Sequence, residues 1–393
     1  MNRRGFLVRS MGAAIALALP RFARGQRPDS LARGSRSGEV KPPEVSVTIA
    51  AAGDTTLGSN LQDYFDQQVA AGRSKDELWP LFFAGVRPIL DGADIALVNL
   101  ECPFTERGVK LEKNFNFRAR PELVRILREG SVDVVSMANN HIADWGEDGV
   151  EDTLAALDGA RIAHFGGGLR MKKARRPAFL ERALAVGFLG YYFQADPDML
   201  EPKAVYATRR KPGVAGCYKD LDCIRRMVRE DVSALARKVD VAIPYFHWGH
   251  EGSYEVRDYQ IELAHLCVDL GCKAVLGAHP HRLQGIELYR DAPIFYSLGN
   301  FVYGGIKEPK DTLSMIARIH CASSNVDADV VPIQFTRWPE APFQPSVLEG
   351  QEREDALARI MSYSARFERT LGQLEPYRGR LTFAPSDSLG IAR

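Results

Sequence analysis

Short apolar runs alternate with amphipathic stretches along most of this chain. VSVTIAAA before Gly53 and Asp54, ADIALVNL before Glu101 and VDVVSMA before Asn139 read as buried strands, with the amphipathic FFAGVRPIL and PELVRILREG between them as helices. The same punctuation continues through the helix GVEDTLAALDGA, the strands RIAHFGG and ALAVGFLGYY, an irregular segment up to Lys219, the helix LDCIRRMVREDVSALARKV, the strand VDVAIPYFHWG, the helix YQIELAHLCVDLG and the strand KAVLGA. This βαβ alternation predicts an α/β fold. From Ile286 the pattern changes: IELYR, APIFYSLGN, LSMIARIHC and DVVPIQFTRW follow in quick succession, which predicts a second, largely antiparallel sheet packed on the first. The expected architecture is a sandwich of two sheets flanked by helices. It occupies a main domain of residues 44–340, followed by a C-terminal extension (341–393) with one surface helix over 351–372.

The N-terminus departs from this pattern. MNRRGFLVRSMGAAIALALP (1–20) joins Arg3 and Arg4 to an apolar run from Met11 to Leu19 with a small-residue end, the make-up of a twin-arginine export signal. The run is about half of what a bilayer-spanning helix needs. Residues 21–43 are rich in Arg, Gly, Ser and Pro without apolar periodicity and read as a flexible linker. The expected location is therefore the periplasm or the cell surface. Over the whole chain, 51 basic and 50 acidic residues leave a net charge of +1, so no global field argues for nucleic acid as a partner. The run Lys172, Lys173, Arg175 and Arg176 either meets a polyanion or forms a solvated face. Of six cysteines none forms a CxxC pair, which argues against a thiolate zinc site. Cys217 and Cys223 are candidates for a bridge in an oxidising compartment, and Cys267 and Cys272 for packing.

The candidate chemistry sits at strand ends. Of eight histidines, His247, His250, His279 and His281 are clustered, each after a β-prone run. In HPH the imidazoles stand at i and i+2, so an extended backbone points both into one pocket. Five strand ends offer ligands: Asp54, Glu101, Asn140 with His141, His247, and His279 with His281. Carboxylates, an amide and imidazoles make a mixed N/O set suited to Mn, Fe or Zn. The set is large enough for two ions, which in such sites stand about 3.5–4 Å apart around a shared carboxylate; Glu101 is the candidate bridge. His164, His265 and His320 read as packing or surface residues, and Trp248 as packing beside the site.

GDTTLG, NLECPFT, ANNHIADWGEDGVEDTL, HWGHE, GAHPHRLQGIELY and YSLGNFVY, in that order between Val45 and Tyr303, resemble the motifs of the bacterial capsule-synthesis CapA proteins linked to poly-γ-glutamate. That family is similar to the calcineurin-like metallophosphoesterases, which implies a four-layer αββα sandwich with metal ligands at strand ends. By this resemblance Asp54 looks like the first-motif aspartate, Glu101 stands at the bridging place, Asn140 looks like the amide ligand, and His247, His279 and His281 look like the remaining ligands of one or two divalent ions. His141 looks like the acid that protonates the leaving oxygen. Thr56 stands where phosphoesterases usually carry a histidine, so the first metal position is one ligand short. His250 falls at a variable place, whereas Glu251 fits the family pattern and is expected to orient His247. Three residues have two readings each. Asp144 orients His141 or caps the helix that begins near Gly146; Asn300 contacts substrate or only shapes a turn; Arg118 contacts an anionic substrate group or is solvated. The resemblance implies an exported metal-dependent hydrolase of the phosphoesterase type. Its substrate would be a phosphoester or an anionic cell-surface polymer, and its partner a membrane-bound polymer-synthesis complex. An amide hydrolase acting on the glutamate polymer and a non-catalytic polymer-binding or assembly factor are the rival readings. Replacing Arg3 and Arg4 by lysine is expected to leave the protein in the cytoplasm; cell fractionation checks this, and unchanged export would remove the signal assignment.

Overall fold

The computed structural model describes residues 45–195 and 202–367. The expected export signal (1–20), the linker (21–43) and residues 368–393 of the extension lie outside the described residues. The chain first lays down β1 (Ser46–Thr56), β2 (Ile95–Leu100), β3 (Val134–Ser136) and β4 (Ala163–Phe165), neighbours in parallel register. After a two-residue strand β5 (Gly167–Gly168) it passes to a second sheet with β6 (Ala178–Glu181) and β7 (Ala185–Tyr192). A short β8 (Gly213–Val214) pairs back on β5, and β9 (Val241–His247), β10 (Val275–Ala278), β11 (Ile286–Tyr289) and β12 (Ala292–Phe295) complete the second sheet. The chain then returns to the first sheet as β13 (Asn300–Tyr303), β14 (Leu313–Ala322), β15 (Val326–Gln334) and β16 (Ser346–Val347). The strand orders are β16-β15-β14-β1-β2-β3-β4, with β13 also beside β1, and β11-β12-β10-β9-β7-β6.

This corrects the expectation that the last strands form an antiparallel sheet of their own. They divide: β11 and β12 join the second sheet, while β13 to β16 extend the first. Both sheets are mixed, because a parallel set built through helical crossovers gains antiparallel neighbours where hairpins follow.

All six residues of β2 and all seven of β9 are buried, as strands covered on both faces must be. Their alternate side chains enter different cores. Ile49, Ala51, Ile95 and Leu97 pack between the sheets with Val186, Phe188, Ile243 and Leu276. Ala50, Ala52, Ala96 and Val98 turn the other way, onto Leu61, Phe65, Ile126 and Leu157 from the helices. On the far side Leu189, Tyr191, Ala242 and Phe246 meet Ile224, Val228, Val232 and Leu263. The result is the four-layer αββα sandwich, with each sheet packed against helices on one face and against the other sheet on the other.

The helices follow their apolar spacing. Leu221–Ala236 buries Ile224, Met227, Val228, Val232 and Leu235, one stripe of a 3.6-residue period, and Asp220 caps it by accepting the Cys223 amide. Cys217 is bridged to Cys223, and Cys267 and Cys272 are buried and free. FFAGVRPIL is not one helix but a 3₁₀ turn (Leu81–Phe83) and a short helix (Arg87–Asp91). Pro88 starts the second piece, and Gly85 lies so close to Pro345 that an added Cβ would sit 2.5 Å from its carbonyl oxygen. The C-terminal helix is Gly350–Ser364, and Ala356, Leu357 and Ile360 on its inner face belong to the inter-sheet core. Among the described residues no helix is long and apolar enough to cross a membrane.

One irregularity in β1 aims the site. Ala51 pairs with Leu97, but Asp54 pairs with Asn99, so three steps along β1 match two along β2. This is a β-bulge, a device that re-aims side chains. Without it Asp54 would follow Ala50 and Ala52 towards the helices; with it, Asp54 shares the inter-sheet face with Asn99, whose Nδ2 donates to Asp54 Oδ1 at 2.8 Å. Gly53 lets the bulge close onto the loop before β13, because a Cβ there would lie 1.8 Å from the Gly299 carbonyl oxygen. That same oxygen accepts the Asp54 amide at 2.9 Å. Gly53→Ala is therefore expected to destabilise the protein by about 3 kcal/mol or more, the upper range for forced overpacking. Urea unfolding checks this, and an unchanged midpoint would contradict the close approach.

Candidate metal centre

The carboxyl ends of β1, β2, β9 and β10 meet the loop after β3 in a pocket between the sheets, the usual place for ligands in open α/β sheets. Asp54, Glu101, His247 and His279 are fully buried, and the His281 side chain is 12% exposed. Their donor atoms form two trios, Glu101 with His247 and His279, and Asp54 with Glu101 and His281; within each, the atoms lie within 4.8 Å of one another. Glu101 belongs to both. His247 Nε2 stands 3.4 Å from Glu101 Oε1, 2.9 Å from Asn140 Oδ1 and 2.9 Å from His279 Nδ1. His281 Nδ1 lies 3.2 Å from Asp54 Oδ2, and its Nε2 lies 3.7 Å from Glu101 Oε1.

The HPH segment is not the extended strand expected from its spacing. β10 ends at Ala278, and the backbone turns at both histidines, with φ of 101° at His279 and 53° at His281. Each such residue costs about 1–3 kcal/mol. Asp54 Oδ2 helps to hold the turn by accepting the His279 amide at 3.2 Å, and the two rings still face one pocket, 6.3 Å apart.

Neither carboxylate oxygen of Glu101 has a hydrogen-bond partner. Burial, and next the Asp54 charge, push the Glu101 carboxyl well above its ordinary range. Burial, and then the neighbouring imidazoles, hold His247 and His279 well below theirs, which keeps both rings neutral and able to donate a lone pair. At His281 burial opposes the charge, but the Glu101 and Asp54 carboxylates outweigh it and hold the ring at about 10. An unpartnered buried carboxylate shared by neutral nitrogen and carboxylate oxygen donors fits a divalent cation, so these residues could hold a metal ion.

A second group stands beside the trios. His141 Nδ1 lies 2.7 Å from Asp144 Oδ2, and its ring packs on Phe117 at 4.2 Å. Asp144 also accepts the Phe117 amide at 2.6 Å and pairs through Oδ1 with Lys113 Nζ at 2.9 Å, both side chains being buried. Lys113 Nζ reaches the Asn140 carbonyl as well, at 2.9 Å.

Residues 48–304, which carry this whole arrangement up to the end of β13, match the family described as bacterial capsule synthesis protein PGA_cap. The chain belongs to this family. It is 27% identical over 303 residues to the capsule biosynthesis protein CapA of Bacillus anthracis, covering 75% of this chain and 69% of that one. Against the PGA biosynthesis protein CapA of Bacillus subtilis it is 26% identical over 325 residues, 80% of each chain. A probable polyglutamine synthesis accessory protein of Mycobacterium tuberculosis is 35% identical over 261 residues, 62% of this chain and 67% of that one. The sandwich described above is of the metallophosphoesterase type.

Of the residues that the PGA_cap motifs single out, Asp54, Glu101, His247, His279 and His281 meet in the trios, Asn140 stands against His247, and His141 lies alongside. Thr56 is buried, with its hydroxyl 3.4 Å from the Glu101 main-chain carbonyl; on the Asp54 side the imidazole comes from His281. Asp144 faces His141 and does not cap: the helix Gly146–Ala160 begins after Trp145 without a side-chain cap. Asn300 is buried, its Oδ1 2.8 Å from His281 Nδ1 and its Nδ2 without a partner. Glu251 is half-buried and does not orient His247, whose nitrogens face Asn99, Asn140, His279 and Glu101 instead. Arg118 is exposed, with its guanidinium 3.8 Å over the Trp145 ring. Trp248 points away from the trios into the outer core and stacks on Phe246 at 4.2 Å. His164, His265 and His320 pair elsewhere, with Asp158, Glu287 and Asp329.

Two residues were missed by the motif reading. Asn99 had a signal: it is an amide two residues before Glu101 in an otherwise apolar strand, hence on the same face. Lys113 had none, since it comes from an irregular loop. Lys113→Met leaves a buried carboxylate short of its cation and is expected to cost about 3 kcal/mol; chemical denaturation checks this, and a loss below about 1 kcal/mol, the level of a surface pair, would contradict the buried pairing.

Proposed function

We propose that this chain is an exported metal-dependent hydrolase of the phosphoesterase type, acting in the synthesis or handling of poly-γ-glutamate or a related anionic cell-surface polymer beside a membrane-bound synthesis complex. The observation that carries the reading is the Glu101 carboxylate, buried, unpartnered and common to both ligand trios. Asp54, Glu101, Asn140, His247, His279 and His281 would hold one or two divalent ions of the Mn, Fe or Zn kind. Such ions, when bound, polarise water and the oxygens of the scissile group.

The rest is the work of the chain itself. With Nδ1 turned to Asp144, His141 keeps Nε2 to pass a proton to the leaving atom. Lys113 pairs with Asp144 at 2.9 Å, and that carboxylate in turn fixes the tautomer and orientation of the ring. Asn300 sets the angle of His281 in the same way. The names of the Bacillus relatives support the polymer, and the Cys217–Cys223 bridge, of a kind that persists in oxidising compartments, supports export by the twin-arginine route. A non-catalytic polymer-binding or assembly role is the second reading, favoured by Thr56 in place of a histidine ligand.

Elemental analysis of protein recovered from its export route tests the metal. The wild type is expected to carry one or two ions per chain and Glu101→Gln to lose at least one. His141→Ala is expected to keep its metal and lose about 10²- to 10⁴-fold in turnover across a phosphoester and polyglutamate panel. Well-folded wild type without metal, or full activity in His141→Ala, would turn the reading to the binding role.

A further inference from the structure

Two basic stretches far apart in sequence lie side by side. β5 and β8 pair through Gly167 with Val214 and Gly168 with Gly213, and the Met171 amide donates to the Thr208 carbonyl at 2.7 Å. This sets Arg170, Lys172, Lys173 and Arg176 beside Arg209 and Arg210, all six exposed. Most acids close by are already engaged: Arg175 holds Glu230 and Asp231, each at 2.8 Å, Lys211 holds Glu147 at 3.0 Å and Asp158 faces His164 at 3.1 Å, while Glu151 stays exposed near Lys173 and Arg176. Among the described residues none of the six has an ion pair. In a chain whose charges otherwise nearly cancel, they create a local positive field at a cost in mutual repulsion. The ribbon borders two grooves, one of about 910 Å³ lined by Arg170, Lys172 and Arg209, the other of about 650 Å³ lined by Lys173 and Arg176.

The ribbon is also joined to the metal centre. Tyr206, on the strand side of the basic loop, stacks on Tyr192 at 5.2 Å, and Tyr192 meets the rings of His247 and His279 edge-on at 5.7 and 6.2 Å. From the other side Lys211 reaches Glu147 in the first turn of the helix that follows His141.

We propose that this ribbon is a binding surface for an anionic polycarboxylate chain and leads it to the metal centre. The choice of occupant rests on the polymer reading above and on charge complementarity: repeated carboxylates on a flexible backbone can meet all six cations in turn.

Binding of poly-γ-glutamate to the full chain, followed by fluorescence anisotropy at low and high salt, tests the surface. Lys172→Glu with Arg209→Glu is expected to weaken binding at least about tenfold and to flatten its salt dependence. Arg237→Glu with Lys238→Glu, an equal change of net charge on exposed residues elsewhere, is expected to change it less than about twofold, since distant charges are screened. Equal losses in both pairs would reduce the effect to net charge and overturn the site. Tighter binding of oligo-dT or of phosphatidylglycerol vesicles than of the polymer would overturn the occupant. Should the reversed pair unfold, Lys172→Gln with Arg209→Gln carries the same comparison. Polymer binding by a wild type that turns nothing over would sink the hydrolase reading and leave the surface standing, whereas polymer turnover indifferent to the reversed pair would sink the surface.

Discussion

A buried carboxylate with nothing to bond lies where the two sheets face each other, and most of the molecule bears on keeping it there. Glu101 follows the last residue of β2, a strand whose every side chain is buried, and so cannot swing out to water. Surrounding it with apolar cores on both sides of the sheet raises the cost of its charge, which in water would be negligible. Among the described residues the imidazolium of His281, which must also serve Asp54, does most to offset that cost, with Lys113 adding less. The fold thus contributes stability elsewhere, in three apolar cores, to hold a cluster that is unfavourable by itself, the usual relation between a rigid scaffold and a preorganised site.

Placement of the remaining donors follows from the same geometry. β1 and β2 belong to one sheet and β9 and β10 to the other, and donors at or just beyond their carboxyl ends converge on one place, so that only short segments past the strands need to turn inward. Two local departures from regular structure refine the aim. The bulge at Gly53 turns Asp54 inward, and the two positive-φ histidines bring the end of β10 back over it. Both cost free energy locally, and both sit at the site and nowhere else along these strands, as strain tied to function is expected to do.

This division explains what could be read from the sequence. Apolar runs capped by Asp54, Glu101, His247 and His279 are local signals, since a residue buried on both faces must be apolar and a polar residue at its end needs a reason. The layers were legible for the same cause. Strand partners were not: β14 resembles β12 in pattern, yet one pairs with β1 and the other with β10, a choice made by contacts far apart in sequence that periodicity does not encode. The bulge escaped because it depends on Gly299, more than two hundred residues away, coming close to Gly53. Lys113 escaped because a lysine in a polar loop looks solvated until the partner that draws it inward, Asp144, is in place. The HPH spacing succeeded for a wrong reason, since the rings meet through two turns of the backbone rather than along a strand.

Charge balance links the centre to the basic ribbon. Around the pocket three carboxyl groups, Asp54, Glu101 and Asp144, stand against two basic side chains, His281 and Lys113, and each of the two bases already faces a carboxyl group of the site. Cations placed outside the pocket can attract an anion without disturbing those pairings. Six exposed cations on a ribbon tied through Tyr206 and Tyr192 to His247 leave the buried groups to their own partners, so that the proposed attraction of an anionic chain and the proposed proton transfer at His141 would rest on separate residues and need not be traded against each other.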